Sequence, residues 1–109
     1  MKHKSYIDSK AYRIRKDGSC LRVNGWYLDD SGRPADFSAL INGRPARLML
    51  KRRSRPDAAG RYARWNPPAD CGFSIKVFPE DEAPVRQFEL WAETQGGRVR
   101  LLKLNAGQL

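Results

Sequence analysis

The sequence predicts an all-β fold, an immunoglobulin-like β-sandwich of about seven antiparallel strands with one long crossover loop over residues 52–71. Three observations carry that reading. Apolar and polar residues alternate in short runs, so that one face of each run can be buried while the other meets water. Turn-forming residues punctuate the runs at a spacing of roughly 8–12 residues, and helical periodicity is almost absent. Finally, Asn42-Gly43 separates Phe37–Ile41 from Arg44–Leu50. Both residues of that dipeptide tolerate the positive φ that a two-residue type I′ hairpin demands.

Taken in order, residues 1–10 are polar and read as a flexible N-terminus with Tyr6 and Ile7 as its only anchors. The sandwich domain is assigned to residues 11–104. Ala11–Arg15 places Tyr12 and Ile14 on one face before Lys16-Asp17-Gly18-Ser19 turns the chain back. Across Leu21–Leu28, strict alternation sets Leu21 and Val23 opposite Trp26 and Leu28, a conflict that a one-residue bulge at Gly25 would remove. Asp29 to Pro34 is rich in side chains that bond their own backbone and contains a Gly and a φ-locked Pro, so it turns. Phe37, Ala39 and Ile41 then share a buried face, which Leu48 and Leu50 continue beyond the hairpin while Arg47, Met49 and Lys51 point outward.

The pattern breaks after Lys51. The long connection is bounded by prolines and has room for a helical turn near Asp57–Tyr62. Alternation returns with Phe73, Ile75 and Val77, passes an acidic turn at Pro79–Pro84, and resumes with Phe88, Leu90 and Ala92, leaving Trp91 on the opposite face. Gln95-Gly96-Gly97 makes the last hairpin into Arg98–Leu104, and residues 105–109 read as a tail or linker stub.

A chain of 109 residues is one domain, and 40% hydrophobic content is enough for a packed core despite 30% charged residues. No apolar run approaches the roughly 20 residues needed to cross a bilayer, and the basic N-terminus is not followed by an apolar stretch. The expected location is cytoplasmic. Cys20 and Cys71, with His3 as the one imidazole, are too few ligands for zinc. A disulfide between the layers is the alternative to two free thiols, and the missing export signal favours the thiols. Charge is lopsided within a net +9: residues 1–64 hold sixteen Lys/Arg against six Asp/Glu, residues 65–109 five against six.

As an enzyme the chain is poorly equipped, and no catalytic residue, metal site or cofactor is expected. With its one His on the N-terminal segment, the chain assembles no Ser-His-Asp or Cys-His arrangement within the sandwich except by that segment folding back. Asp29-Asp30 and Glu80-Asp81-Glu82 fall in turns, where acids are common because they are solvated. None of the nine glycines has phosphate-loop spacing. The better candidates are surfaces. Arg44, Arg47, Lys51, Arg52, Arg53 and Arg55 form a cationic run whose self-repulsion an anionic partner would relieve, although Arg53 or Arg55 would serve equally to tie the connection to a turn acid. Tyr62, Trp65 and Trp91 are candidate stacking platforms, with capping of the sandwich edge as the plainer role for Tyr62 and Trp65.

Gly25-Trp26-Tyr27-Leu28, Asp30-Ser31-Gly32, Ala39-Leu40-Ile41-Asn42-Gly43, Arg53-Ser54-Arg55-Pro56-Asp57 and Cys71-Gly72-Phe73 follow one another in an order that resembles the N-terminal β-sandwich module ahead of the catalytic domain in some bacterial family-2 glycosyltransferases, those that build surface polysaccharides. The resemblance spans about residues 20–104. It implies a non-catalytic accessory module that positions the enzyme or its acceptor, with a catalytic glycosyltransferase domain or complex as partner. Ala58, where similar sequences tend to carry a β-branched residue, and the basic loop depart from that pattern. If the parent enzyme uses lipid-linked glycans, the basic residues would meet an anionic membrane surface. The alternatives are a stand-alone carbohydrate-binding module using the aromatic platforms and, behind it, a nucleic-acid-binding domain.

Overall fold

The computed structural model describes residues 1–13, 19–80 and 83–109. Seven antiparallel strands, β1 (His3–Arg13), β2 (Cys20–Asp29), β3 (Asp36–Ile41), β4 (Arg44–Arg53), β5 (Gly72–Phe78), β6 (Gln87–Thr94) and β7 (Gly97–Asn105), lie in the spatial order β1-β2-β5-β4-β3-β6-β7. β4 joins the two layers. Arg44–Ala46 pair with β3, whereas Arg47–Arg53 pair with β5. One layer is therefore β1-β2-β5-β4 and the other β3-β6-β7, the arrangement of a seven-strand immunoglobulin-like sandwich. The hairpin at Asn42-Gly43 has positive φ at both residues, 52° and 78°, as its sequence requires.

Period-two alternation builds the core. Leu21, Val23 and Tyr27 of β2 and Phe73, Ile75 and Val77 of β5 face Ala39 and Ile41 of β3 and Phe88, Leu90 and Ala92 of β6. Between the layers, the rings of Phe37 and Phe73 meet at 4.9 Å and 52°. Each large side chain so buried contributes roughly 1.5–3 kcal/mol of transfer free energy, which makes these faces the force that closes the sandwich.

β2 carries no bulge. Leu21–Trp26 pair one to one with Val77–Gly72 of β5, and the conflict in its pattern is resolved by using both faces. Leu21, Val23 and Tyr27 enter the main core, while Trp26 and Leu28 join a second cluster on the opposite face. The irregularity expected at Gly25 falls on the partner strand instead: the register of β1 skips Asp8 between Ile7↔Gly25 and Ser9↔Asn24. Gly25 is still the reason, because a Cβ there would sit 2.2 Å from the Tyr6 carbonyl oxygen.

The segment expected as a flexible N-terminus lies in β1, which follows β2 along its whole length. Backbone pairing at a sheet edge needs no apolar side chains, so the polar composition hid the strand. At the other end, residues 105–109 form a 3-10 turn over Ala106–Gln108, where the Asn105 backbone N–H donates to Gln108 Oε1 at 2.9 Å and Leu109 packs on the core. Ile14, most of the turn expected at Lys16–Ser19, and Asp81-Glu82 of the acidic turn lie outside the described residues.

The long connection runs from Ser54 to Cys71, since β4 extends to Arg53. It links neighbouring strands of one layer and returns to that layer. Its length is spent on α1 (Pro56–Arg61), at the place where a helical turn was expected, and on a 3-10 turn, Ala63–Trp65. Both lie over Trp26 and Leu28. Cys20 and Cys71 are free thiols. Among the described residues, no helix is long and apolar enough to cross a membrane.

Candidate functional site

The connection is held by side chains from several strands. Ala58 of α1 and Cys71 are buried with Trp26 and Leu28, and Tyr62 and Trp65 pack against them. Tyr62 stacks on Trp65 with ring centres 5.1 Å apart and lies 6.3 Å from Trp26, while the Arg64 guanidinium covers both outer rings at 5.9 and 5.3 Å. Tyr62 and Trp65 are thus the lid of the second cluster. Gly32, at φ +71°, brings the Asp30-Ser31-Gly32 turn against the backbone carbonyls of Trp65 and Asn66.

The cationic run divides by strand geometry. Arg47, Lys51 and Arg53 alternate outward along β4, and Arg44 is exposed beside the hairpin. Arg52 has the other parity and is half-buried; it donates to the Ala35 carbonyl at 2.9 Å and lies 3.6 Å from Asp36. Arg55 is a structural tie. It forks onto both carboxylate oxygens of Asp57 at 3.1 Å and reaches Asp8 at 2.5 Å, binding the connection to the irregular point of β1. The Arg55 side chain, followed by the Ala58 backbone N–H, lowers the Asp57 pKa from its ordinary value.

The register adds two cations that the sequence run omits. Across β4, β5 and β2, Met49 lies beside Lys76 and Lys76 beside Arg22; Lys51 lies beside Ser74 and Ser74 beside Asn24. Both rows are on the outward face. Only their period-two parity was legible beforehand, because positions 22, 49 and 76 share no local pattern.

On the outward face of the other layer, Trp91 stands between Ser38 and Arg100. Its ring is covered by the guanidinium of Arg98 at 4.5 Å, with that of Arg100 at 5.8 Å. Glu93 accepts from Ser38 Oγ at 2.5 Å and from Arg98 at 2.9 Å, and Glu89 accepts from Arg100 at 3.3 Å. The indole N–H is buried and makes no hydrogen bond within the described residues. A ring roofed by cations in this way is not an open platform for a neutral sugar.

Asp29 is a buried carboxylate that accepts from the Tyr27 hydroxyl at 2.9 Å, the Ser31 backbone N–H at 3.0 Å and the Ser31 hydroxyl. These bonds close the turn after β2. Burial and then the Asp29 hydrogen bond push the Tyr27 pKa up, so the phenol stays neutral and donates. His3 stacks on the Tyr27 ring at 6.1 Å from its place in β1. Asp30 holds the Lys2 backbone N–H at 3.1 Å. The cluster is a turn with its donors satisfied. No protein-family profile, curated protein or solved structure matches this chain.

Proposed function

We propose that this chain is a non-catalytic accessory module of a bacterial glycosyltransferase of surface polysaccharide synthesis, cytoplasmic or peripheral to the inner membrane face, where it positions the enzyme or its acceptor. The observation that carries the reading is the convergence of the motif residues. Trp26 and Leu28 lie under the connection, Gly32 abuts it, Arg55 and Asp57 brace it, and Cys71 closes it. Four of the five ordered pieces that resemble the glycosyltransferase module thus make one framework, while residues 39–43 lie apart in β3 and its hairpin, and such a framework suits a rigid domain presenting a surface. A stand-alone carbohydrate-binding role is less well supported, because arginines cover Trp91 and the second cluster engages Tyr62 and Trp65.

Two experiments test the proposal. Incubation of the purified chain with UDP-, GDP- and dTDP-linked sugars should release no nucleotide above buffer, and turnover that survives repurification would overturn it. Photo-crosslinking in the native host, read by mass spectrometry, should capture a nucleotide-sugar-dependent transferase domain. Cross-links to other proteins alone would sink the accessory role.

A further inference from the structure

We propose that the outward face of β2, β5 and β4 docks on an anionic lipid bilayer through Arg22, Arg47, Lys51, Arg53 and Lys76, with Met49 among them as an apolar contact. The inference rests on strand register and burial and does not depend on the glycosyltransferase reading.

The pairing Arg22↔Lys76↔Met49 and Asn24↔Ser74↔Lys51, with Arg47 beside Phe78 and Arg53 beside Gly72, sets five cations on three adjacent strands. Strands lie about 4.8 Å apart and alternate residues about 6.8 Å apart, so the patch covers an area on the order of 10 by 20 Å. The outward positions of β2, β4 and β5 contain no Asp or Glu. Among the described residues none of the five cations is ion-paired, whereas Arg52, Arg55, Arg98 and Arg100 each have a carboxylate partner. Uncompensated like charge gathered on a sheet face carries a self-repulsion that a surface of anions removes.

Met49 decides which anionic surface. It is 61% exposed in the row with Lys76 and Arg22. A single-stranded nucleic acid would call for a free aromatic ring to stack its bases, and the one aromatic outward on these strands besides covered Trp26 is Phe78, over which Arg47 lies at 4.9 Å; a duplex, held through its phosphates, would make no use of Met49. A bilayer uses the whole set: cations meet the headgroups, and a flexible thioether enters the boundary beneath them. Each cation near such a surface strengthens partitioning about fivefold, and salt screens the effect beyond about 8 Å at physiological ionic strength.

The test is flotation of the intact chain with vesicles of phosphatidylcholine alone or mixed with phosphatidylglycerol. Binding is expected at low salt to the mixed vesicles only. Combining Arg22→Glu, Lys51→Glu and Lys76→Glu should weaken it more than about a hundredfold. A charge-matched control, Arg33→Glu with Arg86→Glu and Lys103→Glu, changes exposed cations elsewhere and should bind far better than the face variant. Met49→Ser should cost several-fold at unchanged net charge, and Met49→Leu should not. Unfolding curves on every variant separate lost binding from lost fold, and the Met49 pair remains decisive if the triple variant unfolds. Binding to neutral vesicles, no binding at low salt, equal loss in both triple variants, or an oligonucleotide held more tightly than vesicles and indifferent to Met49→Ser would each overturn the proposal.

Discussion

Arg55 shows how one side chain changes meaning once its neighbours are known. In the sequence it belongs to a basic run; in the fold its fork is spent on Asp57, two positions on, and on Asp8, 47 positions back, a gap that no local pattern bridges. Arg55→Ala is expected to lower stability by about 1 kcal/mol, measured by urea unfolding, since the pair is largely exposed and much of the loss comes from a loosened connection. The pH dependence has a definite sign. Asp57 titrates below its ordinary value of 3.8 in the fold, so the unfolded chain binds the extra proton and the stabilisation is complete above that value. The gap between wild type and Arg55→Ala should therefore be constant near neutrality and close as the pH falls below about 3.8. A gap that persists in acid would remove Asp57 from the account.

At the scale of elements, the β3–β4 hairpin does more than reverse the chain. Asn42 Oδ1 accepts from the backbone N–H groups of Arg86 at 2.7 Å and Gln87 at 3.0 Å, and its Nδ2 donates to the Pro84 carbonyl at 3.0 Å. The turn residue thereby fixes where β6 begins. Asn42→Ala should cost about 2 kcal/mol, combining lost hydrogen bonds with a strained positive φ, while Asn42→Gly should cost less because only the bonds are lost. Equal losses in the two variants, read from denaturation midpoints, would show that the clamp alone matters. The dipeptide was legible as a turn because positive φ is a property of two residues. Its hold on β6 was not, since Arg86 is 44 positions away.

For the whole molecule, the two thiols report on different depths of the fold. Cys71 is buried beneath the connection and burial raises its pKa, whereas Cys20 is only partly covered at the start of β2. An alkylating reagent at mildly alkaline pH should modify Cys20 first, and Cys71 at a rate that follows unfolding of the connection or of the domain. Rapid labelling of both in the native state would mean that the second cluster opens easily. A faster Cys71 reaction in Arg55→Ala, with Cys20 unchanged, would locate the opening in the connection.

The alternation of Phe73, Ile75 and Val77, of Phe88, Leu90 and Ala92, and of Phe37, Ala39 and Ile41 was sufficient by itself to name the strands and their buried faces, because period two is built into an extended backbone. The Asn42-Gly43 turn and the helical turn after Arg55 were equally local. Tertiary structure alone decided which strands are neighbours. Burying whole apolar faces together sets that order, and it put Trp26 and Leu28 under the connection, made a paired strand of the polar N-terminus, moved the bulge from Gly25 to Asp8, and tied Arg52 to the Ala35 carbonyl and Arg55 to Asp8. The same order brought Arg22 and Lys76 beside β4, because a side chain's neighbours across a sheet follow from register, a relation among strands that no single stretch of sequence contains.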